Sequence, residues 1–79
     1  MRLLDVDTGK PLRDVCVYLT PLEARQMLGY LKGLVNGRVE HHAHVNDDSY
    51  EREVTIAVYT ERNLDQFDER SRKLILEGY

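Results

Sequence analysis

The residues best suited to chemistry stand together in Glu40-His41-His42-Ala43-His44. In an extended strand, His42 and His44 share a face with side-chain origins about 6–7 Å apart, while His41 points to the other side. Two imidazoles at that spacing can close on one ion through neutral ring nitrogens. A hairpin turn centred on Asp47-Asp48 sets Glu53 opposite His42 and Glu51 opposite His44, which completes a two-His, two-Glu patch. Such a patch suits zinc or another divalent cation. Without metal, the carboxylates favour the charged imidazoles and the patch becomes pH-responsive. The simpler alternative is a row of cross-strand His and Glu contacts on a wet sheet, each contributing under about 1 kcal/mol. The spacing lacks the fixed HxxxH or CxxC form, so it specifies no particular metal.

Catalytic residues are harder to find. Ser49 lies in a turn and Ser71 in a helical stretch, and neither belongs to a GxSxG elbow. Gly29 and Gly33 fall inside a helix instead of the turn that opens one, so they build no phosphate loop. Cys16 has no CxxC partner and sits in an apolar run, where a cysteine packs as a small hydrophobe. No catalytic residue and no cofactor site is assigned. A site assembled only between two subunits is the one catalytic arrangement left open.

The elements that must position these side chains follow from periodicity. Residues 2–7 read as a short strand that turns through Asp7-Thr8-Gly9-Lys10-Pro11, and residues 14–19 read as the second strand, with Val15, Val17 and Leu19 on one face and Cys16 and Tyr18 on the other. Thr20-Pro21-Leu22-Glu23 carries the signature of a capping box with proline at the first helical position. From there Ala24, Met27, Leu28, Leu31, Leu34 and Val35 fill one arc of a helix that ends at Asn36-Gly37. Residues 38–46 and 50–59 alternate as strands three and four, with Val54, Ile56 and Val58 facing one way and Thr55, Ala57 and Tyr59 the other. A surface helix follows over residues 63–77, carrying Asp68/Arg72 and Glu69/Lys73 pairs. The expected architecture is therefore a single two-layer α+β domain over residues 1–79, in ββαββα order, with an antiparallel four-stranded sheet and both helices on one face.

With the helices on one side, the bare sheet face shows Cys16, Tyr18, Thr55, Ala57 and Tyr59 beside Glu40, His42 and His44. An apolar patch with a polar rim resembles an interface, and a small domain gains burial by pairing such a face with a second copy. Fourteen acidic against eleven basic residues give a net charge of -3 among 79 residues, the wrong sign for neutralising phosphates, so nucleic acid is not an expected partner. A protein with a basic surface suits the acids Asp47, Asp48, Glu51 and Glu53 better. The single cysteine fits a reducing cytosol, and no apolar run has the length of an export signal or a membrane span. These features point to a small non-enzymatic cytosolic homodimer that binds another molecule, in the manner of an inhibitor, an antitoxin or a regulator. The divalent-metal or pH-responsive module on His42, His44, Glu51 and Glu53 is the alternative.

Overall fold

In the computed structural model, which describes residues 1–37 and 42–79, the strongest local code builds the longest element. The Thr20 hydroxyl accepts from the Glu23 amide at 3.2 Å and the Glu23 carboxylate accepts from the Thr20 amide at 2.9 Å. Pro21 occupies a position whose N–H has no helical partner to lose. Helix α1 then runs Pro21–Val35. It stops where the Asn36 amide closes on the Lys32 carbonyl at 3.0 Å and Gly37 turns to φ 70°, a left-handed backbone that glycine adopts without a steric cost.

Two short strands precede α1, β1 (Leu3–Leu4) and β2 (Pro11–Leu12); two follow it, β3 (His42–Asn46) and β4 (Glu53–Ala57). A 3-10 turn at Leu64–Gln66 leads into α2 (Glu69–Glu77). Contacts divide the chain into two compact units, Tyr18–Thr60, and Met1–Val17 with Glu61–Tyr79.

In the Tyr18–Thr60 unit, β3 and β4 pair antiparallel with Ala43 opposite Ile56 and Val45 opposite Val54. Helix α1 packs on β3. The strands alternate as read: Ala43 and Val45 are buried, Val54 and Ile56 half-buried, and His44, Glu53, Thr55 and Ala57 exposed. Leu34, at 8% exposure, is buried in this unit along with Ala43 and Val45. A lone hairpin is marginal in water, so the helix that covers its inner face is what makes it persist.

In the other unit, β1 and β2 pair with Leu3 opposite Leu12 and Leu4 opposite Pro11. The turn between them closes through the Asp5 amide on the Lys10 carbonyl at 2.9 Å and the Gly9 amide on the Asp5 carbonyl at 2.8 Å. Helix α2 starts at Asp68, whose carboxylate accepts from the Ser71 amide at 2.7 Å, and ends at Gly78 with φ 84°. Two arginines tie it to the hairpin: Arg2 donates to the Leu74 carbonyl and Arg70 to the Gly9 carbonyl, each at 2.9 Å. No helix among the described residues is long and apolar enough to cross a membrane.

The four-stranded ββαββα sheet does not form. The strands make two separate two-stranded antiparallel sheets, and the chain is a small α+β protein in that coarser sense only. Residues 14–19 form no strand, because the turn at residues 5–10 sets Leu3 against Leu12 and the ladder closes on Pro11–Leu12, ahead of the β-branched run. Val15, Val17 and Leu19 stay exposed, and strand propensity without burial does not hold a strand. The second helix starts five residues later than periodicity indicated, at the Asp68 cap. The start of the expected third strand, with Glu40 and His41, lies outside the described residues.

Candidate functional site

Hairpin geometry decides which of the His and Glu side chains meet. Asp47 organises the turn: one carboxylate oxygen accepts from the Glu51 and Arg52 amides at 2.9 and 3.2 Å and from the Ser49 hydroxyl at 3.3 Å. The Tyr50 amide closes on the Asp47 carbonyl at 3.1 Å, and Tyr50 takes φ 56°. The turn is thereby centred on Ser49 and Tyr50, later than the Asp47-Asp48 centre the sequence indicated. The register follows: His42 faces Ala57, His44 faces Thr55 and Asn46 faces Glu53.

Of the four proposed ligands, His44 and Glu53 come together. His44 Nδ1 lies 2.8 Å from the Thr55 hydroxyl and 3.5 Å from a Glu53 carboxylate oxygen. Glu53 can only accept when ionised, which favours a proton on that nitrogen. His42 meets His44 edge to face, with ring centroids 5.1 Å apart. Glu51 turns away and pairs with Arg52 at 3.4 Å. No group of three or more His, Cys, Asp or Glu side chains converges as a metal cage among the described residues.

The proposed interface residues divide between the units. Thr55 and Ala57 sit exposed on β4, and Tyr18 and Tyr59 are exposed in the same unit, Tyr18 at 90%. Cys16 is an exposed free thiol of the other unit. Periodicity missed one feature here. The apolar arc of α1 splits, so that Leu34 is buried and Met27 half-buried while Leu28, Leu31 and Val35 are exposed, Val35 at 79%. The arc is wider than β3 and its neighbour can cover.

A second missed feature is a cleft of about 200 Å³ where the first turns of α1 approach the β3–β4 turn. Glu23, Tyr30, His44, Asp47, Asp48 and Tyr50 contribute to its wall, and among the described residues no lysine or arginine does. Asp47 is held below the ordinary carboxylate value, chiefly by the hydrogen bond from the Arg52 amide and further by the Glu51 amide and the Arg52 and Ser49 side chains, with partial burial opposing them. Its charge is met by the Arg52 guanidinium at 3.3 Å. Glu23 keeps one oxygen beyond the cap, and Asp48 is exposed without a hydrogen bond or ion pair among the described residues. Sequence signals marked Glu23 as a cap and Asp47 as a turn residue; only tertiary packing brings them to one place.

The other unit has a cleft of about 280 Å³ beside Arg2, Leu12, Arg13 and Leu74. It abuts the carbonyl end of α2, where Arg2 already serves the Leu74 carbonyl. Compared with protein-family models, with curated proteins and with solved structures, the chain matches none.

Proposed function

We propose that this chain is a non-catalytic binding protein that pairs with a second copy of itself and engages a partner with a basic surface, as an inhibitor, an antitoxin or a regulator does. The observation that carries the reading is the uneven burial of the Tyr18–Thr60 unit. Among its described residues it buries Leu34, Ala43 and Val45 and leaves Tyr18, Leu28, Leu31, Val35 and Tyr59 exposed. Fully burying a leucine or valine contributes about 1.5–3 kcal/mol, so the three buried side chains among the described residues, one of them alanine, give little against the chain entropy of the unit. A small scaffold of this kind is commonly completed by oligomerisation. The reducing cytosol suits the unpaired Cys16 thiol.

Support for a basic partner comes from the β3–β4 turn, where Asp47, Asp48 and Glu51 cluster beside Glu53 and Arg52 pairs with Asp47 and Glu51. Light scattering on the eluting chromatographic peak tests the pairing. The expected mass is twice 9.2 kDa, and a monomer at high micromolar concentration overturns it. Capture from lysate at low and high salt tests the partner class, since association through an acidic patch weakens as salt rises.

The divalent-cation alternative rests on the meeting of His44 with Glu53 and the adjacent His42 ring. Calorimetric titration with zinc decides it. Heat that His42→Ala with His44→Ala abolishes supports that reading, and no heat, or equal heat from the variant, removes it.

A further inference from the structure

The β3–β4 hairpin leaves one side of its ladder open. The Asp47 amide bonds the Arg52 carbonyl, and hydrogen-bonded pairs recur at every second residue, so Val54 and Ile56 spend their backbone groups on Val45 and Ala43. The N–H and C=O groups of Glu53, Thr55 and Ala57 point the other way, and no strand among the described residues pairs with them. Proteins blunt such an edge with lysine, proline or a bulge. Val54 to Ala57 has no charge and no proline, and its pairing with β3 is one to one.

The helix above this edge is bare on the same side. Leu22, Gln26 and Tyr30 stand at about 0°, 40° and 80° around the α1 axis, and this flank lines a cleft with His44 and Asn46 of β3. Leu34 and Met27 come next around the axis and face inward. Leu31, Val35 and Leu28 follow at about 180°, 220° and 240°, on the flank away from that cleft and toward β4. They keep 43%, 79% and 52% of their surface. Val54 and Ile56 stay half-buried below, since α1 packs on β3. Open backbone and bare apolar side chains thus border each other within one unit.

We infer that a second copy adds its own β4 antiparallel to this edge, with the two-fold axis at Thr55. The inference rests on the self-association half of the function proposed above and names the surface that carries it. A second copy is the occupant because the edge is complementary to itself. Centred on Thr55, all five residues of β4 overlap and each outward-facing pair exchanges both backbone bonds. Glu53 then meets Ala57 of the second copy instead of another acid, which avoids like charges directly opposite. Area brings in the helix flank. A stable interface takes about 800 Å² from each partner, more than an edge about 17 Å long supplies alone. Leu28, Leu31 and Val35, over Val54 and Ile56, extend it.

Light scattering and amide hydrogen exchange on the same samples of the full chain test it. The parent is expected to be a dimer whose Glu53, Thr55 and Ala57 amides are protected, and to lose that protection on dilution to monomer. In a mixture of isotope-labelled and unlabelled chains, an interchain contact is expected between the α-protons of Val54 and Ile56. These residues form the close, non-hydrogen-bonded pair of this register and cannot meet within one strand. Leu28→Glu with Val35→Glu is expected to weaken pairing at least about a hundredfold and to leave the helical circular dichroism unchanged. Leu22→Glu, on the other flank, is expected to change pairing by about twofold at most.

A dimer whose amides at 53, 55 and 57 exchange freely removes this surface and leaves self-association standing. So does a dimer that Leu22→Glu disrupts as strongly as the Leu28 and Val35 changes do. A monomer at high micromolar concentration removes both. Protection that persists in the monomer overturns the second copy as occupant in favour of another segment of the same chain.

Discussion

Tyr50 should be a poor choice for the backbone it occupies. Its φ of 56° lies in the left-handed region, and its side chain is left largely outside the fold at 80% exposure. A residue with a Cβ gives up about 1–2 kcal/mol there. Asparagine tolerates the conformation several-fold better than most residues. Glycine escapes the strain but costs about 0.5–1 kcal/mol in unfolded-chain entropy. Little packing is lost with a ring this exposed. Tyr50→Asn should therefore stabilise by about 1 kcal/mol, Tyr50→Gly by about 0.5 kcal/mol, and Tyr50→Ala, which keeps the Cβ, should change stability by roughly zero. For a chain of this size 1 kcal/mol raises Tm by about 4–8 °C. Reversible thermal unfolding followed by circular dichroism, at two protein concentrations to account for association, measures the series. The order Asn, then Gly, then Tyr and Ala together is the diagnostic. If Ala equals or exceeds Asn, or if all three melt below the parent, ring contacts and not φ govern this position.

Gly29 lies inside α1, and a Cβ placed there meets, among the described residues, no atom within 4 Å beyond its chain neighbours and its own helix backbone; Gly29→Ala should stabilise by about 1 kcal/mol, and a fall in dimer mass on this change would instead mean that a second copy approaches the bare position. Thr20→Ala removes the hydroxyl that accepts from the Glu23 amide and should cost about 1 kcal/mol, with loss of protection in the first α1 turn by hydrogen exchange. Asp68 is held below its ordinary value of 3.8, first by the Ser71 side chain, then by the Ser71 amide and by Arg72 and Arg70, against slight burial. A lowered folded pKa means that the unfolded chain binds the proton more readily, so this contribution is complete above about pH 4 and is lost as pH falls through the folded value. Asp68→Asn retains a capping oxygen and should flatten the decline of Tm below about pH 4, while an unchanged acid limb would mean that Asp68 does not contribute to it.

What could be read from the chain was local. Thr20, Pro21, Glu23 and Gly37 act on their immediate neighbours, and α1 begins and ends where those residues require. The inward phase of Ala43, Val45, Val54 and Ile56 was equally legible, since one hairpin and one helix suffice to impose it. Residues 14–19 were misread because Val15, Val17 and Leu19 carry strand propensity with no surface to bury them. The arc on α1 was misread for the converse reason. Its six positions share a helical face, but β3 covers the side of Leu34 and leaves Leu28 and Val35 bare.

The His and Glu patch shows why a surface can be legible while a site is not. Against the expected pairing, the register moves the partner of His42 from Glu53 to Ala57, a displacement of four residues along β4. Side chains repeat with period two, so an even displacement leaves each on its own face and changes every cross-strand partner. The composition of the outer face, with His42, His44, Thr55 and Ala57, survives any such slip. A ligand set does not, because it depends on which two side chains stand opposite. The register is decided by the turn, through the Asp47 carboxylate on the Glu51 and Arg52 amides and the left-handed Tyr50. The same turn sets Asp48 at the cleft edge while Glu51 joins Arg52. A turn redesigned to bring Glu53 opposite His42 and Glu51 opposite His44 would thus assemble the four-residue patch that the present register takes apart.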